Sequence, residues 1–308
     1  MFRVPCTLVF VNLAERLGYG PNDRVLVLNA DDIGSSHAAN EAAFECIEQG
    51  SLTSGSILVP AAWAPEAYAF AREHPEADLG LHLTLNSEYG ACRWRPVASR
   101  AEAPGLYDDE GYLWYTLTQA VERVSAAEAE RELRAQIEEA RAAGVDITHL
   151  DTHMGTVLQP KFIEVFVSLG LEYKIPLFIF RRNPDRMRRA GLGELWEAID
   201  GQLQRLDEAG FPVLDHMIAN TLDRPPETKE TYFKEIFADL RPGLTHFLVH
   251  PAKISAETEA LGRDAPMRHK DYELFRDGAM ADYLASLGVK TTTYRAIREA
   301  YRSGALKN

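Results

Sequence analysis

The stretch RVLVLNADDIGSSHAANEA, residues 24–42, passes from an apolar run through two adjacent aspartates into a segment of helical period. Such a succession is the sequence form of a strand that turns into a helix. It recurs along the chain. Short apolar or β-branched runs at residues 24–29, 53–59, 78–85, 146–150, 175–180, 211–215, 244–250 and 289–294 alternate with longer segments. Eight β-then-α units predict an α/β fold, an irregular TIM-like (β/α) barrel, in preference to an open doubly wound sheet.

The intervening helices carry their own end signals. Ser125 and Glu128 form a capping box, Leu133, Ile137 and Ala140 share one stripe, and Gly144 supplies the stop. NEAAFECIEQG ends at Gly50, and YELFRDGAMADYLASLG is read as a helical stretch ending at Gly288 before the last run. Without a repeat of fixed period or a Gly/Ser linker, residues 1–308 are expected to form a single domain. The longest connection, residues 86–124, is expected to serve as a substrate wall or lid. Its aromatic residues Trp94, Tyr112, Trp114 and Tyr115 have two readings: stacking on sugar rings, or packing the loop onto the barrel.

Composition removes several function classes. With 46 acidic against 33 basic residues the formal charge is -13, which disfavours a nucleic-acid partner, and the one dense basic cluster, FRRNPDRMRR at 180–189, is short. Cys6, Cys46 and Cys92 show no paired spacing, so a disulfide scaffold or zinc ribbon is not expected and a reducing, cytoplasmic setting is. The N-terminal apolar run is broken by Pro5 and Asn12, and nowhere do about 18 apolar residues follow one another, so neither export nor a membrane is expected. Oligomeric state, a homo-oligomer included, stays open.

In barrels of this kind the chemistry sits at the C-terminal ends of strands. Here those positions hold Asp31 and Asp32, His82, Asp151 and His153, Arg181, Asp215 and His216, and His250. A lone histidine at a strand end is more often a hydrogen-bonded rim residue than a ligand. Several from different strands, with acids among them, suit a divalent cation held by oxygen and nitrogen with a position left for water. A pair of carboxylates then has a use: one coordinates, while the other stays ionised to take a proton. The competing reading makes them a helix-capping pair.

The motifs NADDIGSS, GSLTSGSILVP, LGLHLTL, HLDTHMG, FLVHPA and LGVKTTTYRAI, in this order, resemble the YdjC-like carbohydrate deacetylases, also called the ChbG/HpnK family. The resemblance runs from about residue 24 almost to the C-terminus. It implies an irregular barrel and metal-assisted removal of an acetyl group from an N-acetylated amino sugar or oligosaccharide. It also implies Asp31 as general base, Asp32, His82 and His153 as metal ligands, and His250 as the acid that protonates the leaving amine. Asp151 is expected to orient a ligand, and Arg181, Trp94 and Trp114 to line the substrate site. Zinc is the first choice for two histidines and one aspartate, with magnesium the alternative.

One departure stands out. Many members carry a further histidine where this chain has Gly155, which alters a sugar contact and leaves three ligands intact. Two other functions compete: a barrel phosphoesterase with Arg181 and Arg182 clamping phosphate, and a sugar-binding protein without catalysis. No GxSxG elbow or phosphate-binding loop points to a serine hydrolase or nucleotide enzyme.

Overall fold

The computed structural model describes residues 11–181, 193–219 and 221–306. Among the described residues seven parallel strands are formed: β1 (Arg24–Ile33), β2 (Ser54–Ile57), β3 (Leu79–Leu83), β4 (Leu150–Thr152), β5 (His216–Ile218), β6 (Gly243–Val249) and β7 (Lys290–Thr291). The sheet runs β4-β3-β2-β1-β6-β5, and β7 pairs with the first half of β1. It curls into a half-barrel.

Eight strands of an irregular barrel were expected, and two of the runs do not form ladders. Residues 175–180 and 211–215 meet in single bridges, Leu150 with Leu177 and Phe180 with Leu214. Pro176 and Pro212 interrupt these runs, and a proline has no N–H to give to a ladder. The bridges lie in the gap between β4 and β5. Because β5 begins at His216, Asp215 and His216 stand at the start of a strand and not at its end.

Strand alternation sorts the residues into two faces. Leu26, Leu28, Ala30, Leu81, Phe247 and Val249 join a large core with the helices, including Phe233, Phe237 and Phe275. Val25, Val27, Leu244, Leu248 and Tyr294 form a second cluster inside the curl. Farther along the strands the inner face turns polar, with Asn29, Asp31, Ser56, His82 and Asp151 all buried. The apolar floor therefore carries a polar layer at the C-terminal end of the sheet.

Local signals agree with the helices in most places. The Ser125 capping box is present at helix Ala126–Ala142, which buries Leu133, Ile137 and Ala140. The stretch read as one helix before Gly288 is instead two, Ala265–Phe275 and Ala279–Ser286. Gly278, with φ 78, breaks it. Residues 86–124 are anchored to the helix Ala126–Ala142: the buried carboxylate of Glu132 accepts the N–H groups of Val97 (3.0 Å) and Ala98 (2.7 Å).

Candidate active site

Two adjacent residues of a strand ordinarily face opposite ways, so Asp31 and Asp32 need a device to share one site. Pairing of β1 with β2 slips between Ala30↔Gly55 and Ile33↔Ile57, which leaves one extra residue on β1. Asp32 takes φ 64, a left-handed conformation that few non-glycine residues adopt. The bulge turns both carboxylates inward and returns Ile33 to the outer core. The capping alternative does not hold, since Ser36 caps the following helix by accepting from Ala39 N.

Asp32 Oδ1 lies 3.3 Å from His82 Nε2 and 3.2 Å from His153 Nδ1. These three atoms form one of two compact groups able to hold a metal among the described residues; the other is Asp31, His82 and Asp151. Asp32 Oδ1 is buried and without a hydrogen-bond partner, an arrangement that is costly unless a cation completes it. Its donor set of one oxygen and two imidazole nitrogens fits a divalent metal.

Each imidazole is fixed from behind. His82 Nδ1 is 2.7 Å from Asp151 Oδ1, and His153 Nε2 is 2.8 Å from Glu88 Oε1. A carboxylate there holds the ring proton and turns the other nitrogen toward Asp32. Asp151 was legible in the motif; Glu88, in the long connection, was not. Arg268 was also missed: its Nη1 donates to Asp32 Oδ2 at 2.7 Å, its Nη2 to Tyr89 Oη at 2.9 Å, and its Nε to Asp264 Oδ2 at 2.6 Å. Arg268 thus occupies one oxygen of Asp32 and leaves the other for the imidazole side.

The electrostatics separate the two aspartates. Burial raises both, but at Asp32 the Arg268 charge and the two imidazoles outweigh it and hold the carboxyl well below the usual range. Asp31 has no such cation: burial, reinforced by Asp151 and Asp32 against the pull of His82, lifts it above the usual range. Burial lowers His153, yet Glu88 and Asp32 carry it up to about 9. Burial also lowers His82, and Asp151 and Asp31 more than reverse that.

Asp31 stands beside this group. Its Oδ1 accepts from Asn29 Nδ2 at 2.7 Å, and its Oδ2 lies 3.9 Å from His82 Nε2 and 4.0 Å from His250 Nε2. Asn29, two residues earlier on the same face, was signalled by its polarity within an apolar strand. His250 follows β6, and its backbone N–H donates to Asp271, which is paired with Lys229 at 2.7 Å. Burial pushes the His250 imidazole down to about 3.

The structure therefore brings together Asp31, Asp32, His82, Asp151, His153 and His250. Arg181 instead pairs with Asp207 on the helix Gly193–Glu208, and Arg182 lies outside the described residues. Asp215 accepts the N–H groups of Leu13 (2.9 Å) and Leu244 (2.8 Å) at the opposite end of the sheet. His216 Nε2 is 2.9 Å from the Pro242 carbonyl oxygen. Trp94 is buried, donates Nε1 to the Asn86 carbonyl, and meets His153 edge-on at 5.8 Å. Trp114 is half-buried and donates to the Gly105 carbonyl. Both indoles pack the long connection, the second of the two readings. Gly155 has φ 69, and a Cβ there would meet nothing within 4 Å, so the left-handed backbone, not crowding, is what favours glycine at this position.

Residues 25–286 match the family described as YdjC-like protein. The chain belongs to the YdjC-like family. A carbohydrate deacetylase of Thermus thermophilus is 35% identical over 290 residues, which cover 94% of this chain and 99% of that protein. One from Thermoanaerobacter pseudethanolicus is 24% identical, covering 89% of this chain and all of the other. A crystal structure from Enterococcus faecalis V583, of a protein proposed to cleave cellobiose-phosphate, shares the fold. Its TM-score is 0.73 at 22% identity, over 89% of this chain and 99% of that one. Within this YdjC-like chain, none of the helices among the described residues is long and apolar enough to cross a membrane.

Proposed function

We propose that this YdjC-like protein is a metal-dependent carbohydrate deacetylase that hydrolyses the acetamide of an N-acetylated amino sugar or oligosaccharide. The observation that carries the reading is the unsatisfied Asp32 Oδ1 between two carboxylate-backed imidazoles, with Asp31 and His250 flanking it. The deacetylase names of the relatives support it.

Asp32, His82 and His153 would hold the cation, zinc first and magnesium second. When bound, it supplies positive charge that polarises the acetyl carbonyl, acidifies water and steadies the oxyanion. Asp31 is the base that removes a proton from the attacking water. Asn29 holds the Oδ1 of Asp31, which leaves Oδ2 for that proton. His250 Nε2, 4.0 Å from that oxygen, delivers a proton to the leaving nitrogen and releases the free amine with acetate. Burial keeps the resting imidazole neutral, so the proton it delivers is gained in the reaction, and Asp31 is the neighbour that can supply it.

We assign residues 86–124 the part of a substrate wall, because Glu132 fixes them and Glu88 reaches the site from them. The free Cys46 and Cys92 are in keeping with a cytoplasmic enzyme. The phosphoesterase alternative loses support because Arg181 is engaged with Asp207. Acetate release from N-acetylated mono-, di- and oligosaccharides, run beside a panel of phosphate esters, tests the reading. Acetate without phosphate is expected, and the reverse overturns it.

A further inference from the structure

A single exposed apolar side chain is ordinary and carries no message by itself; one fixed by several specific contacts is different. Trp63 is 37% exposed and is held at four points. Its N–H donates to the Gly34 carbonyl at 3.1 Å, and its own carbonyl accepts from Asn40 Nδ2 at 3.0 Å. Its Nε1 donates to Glu257 Oε1 at 2.7 Å, and the His37 ring lies against it with centroids 5.0 Å apart. Glu257 also accepts the backbone N–H of His37 at 3.2 Å, while the His37 ring nitrogen Nδ1 lies 2.9 Å from Glu66 Oε1.

The same contacts place Trp63 beside the site. Gly34 is two residues beyond Asp32, so their Cα atoms are at most about 8 Å apart. Trp63 is not alone on this rim. Met154, directly after His153, is 58% exposed, and Ile254, five residues after β6, is 46% exposed. Among the described residues the exposed large hydrophobics are five, and these three follow the C-terminal ends of β2, β4 and β6. The mouth of a polar, ionic site is thus edged with apolar surface.

We propose that Trp63 is a stacking platform for a second sugar ring, the neighbour of the acetylated ring held over Asp32. A pyranose presents an apolar C–H face, and a rigid indole receives it with little loss of side-chain freedom. With Nε1 engaged by Glu257, the indole contributes its face and no hydrogen bond, so the subsite selects a ring of either acetylation state. The proposal rests on the deacetylase reading for the identity of the first ring.

Two measurements test it separately from that reading. Calorimetric titration with unacetylated glucosamine and its β-linked disaccharide should show tighter binding of the disaccharide to the wild type. Trp63→Ala should shrink that advantage about fivefold to tenfold, and Trp63→Phe should keep most of it. In acetate release, the ratio of kcat/KM for the diacetylated disaccharide over N-acetylglucosamine should fall by the same factor in Trp63→Ala. Equal affinities in the wild type, or an advantage that survives in Trp63→Ala, overturns the assignment. Failure of every acetylated sugar to release acetate overturns the deacetylase reading and leaves calorimetry to decide on Trp63.

Discussion

Arg268 and Asp32 are 236 residues apart in sequence and form a buried ion pair at 2.7 Å. The guanidinium takes one carboxylate oxygen, so the other is presented to His82 and His153. Arg268→Ala should strip the buried Asp32 of its guanidinium partner and the half-buried Asp264 of its ion pair, and lower stability by about 3–5 kcal/mol, read by urea unfolding. Arg268→Lys should recover part of the charge and less of the order, since an ammonium cannot span Asp32, Tyr89 and Asp264 with one planar group. Unchanged unfolding in Arg268→Ala contradicts this role.

Glu88 and Asp151 back the two imidazoles from different parts of the chain. Glu88→Gln and Asp151→Asn should each weaken metal binding about 10–100-fold while the ligands stay in place. Competition with a chromogenic chelator measures this. An effect confined to Asp151→Asn would show that the Glu88 carboxylate does not hold His153 in place for the metal.

Gly80 is the point where the polar layer is most tightly fitted. A Cβ at this position would lie 2.3–2.6 Å from the ring of His149, which itself stacks on Tyr294 at 3.9 Å. Gly80→Ala should cost about 1–3 kcal/mol by overpacking. Adding His149→Ala to Gly80→Ala should remove the clash, so the pair should be less destabilising than the sum of the single changes. Additive costs would place the strain elsewhere.

Acid sensitivity has an identifiable contributor. Asp146 accepts from Arg298 Nη1 at 2.6 Å and from Arg295, and these bonds hold its carboxyl below the ordinary range. A depressed carboxyl stabilises the fold above its unfolded pKa and loses that contribution as pH falls through the folded one. Asp146→Asn should therefore lower Tm at pH 7 and converge with the wild type toward pH 2. A constant difference across that range rules the linkage out.

What could be read in the sequence depended on where the partners lie. Asp31, Asp32, His82, Asp151, His153 and His250 sit at or just beyond strand ends, where local pattern and family motif point to the same positions. Arg268 and Glu88 come from a helix and a long connection, and nothing in their neighbourhoods marks a side chain that reaches a remote strand. The bulge at Asp32 was signalled only by the doubled aspartate itself. The runs at 175–180 and 211–215 had the composition of strands, but each contains a proline, and the N–H groups that remain make only single bridges. Asp215 was misplaced for that reason, since a shift of the strand to residues 216–218 moves it to the other end.

The central claim is the division of labour between adjacent aspartates, and one paired measurement tests it most directly. Metal content and acetate release should be determined on the same preparations of wild type, Asp31→Asn and Asp32→Asn. Asp31→Asn should retain near-stoichiometric metal and lose activity by about 10²–10⁴-fold or more, the contribution of a general base. Asp32→Asn should lose the metal. Loss of metal in Asp31→Asn, or turnover that persists in it, would contradict the account.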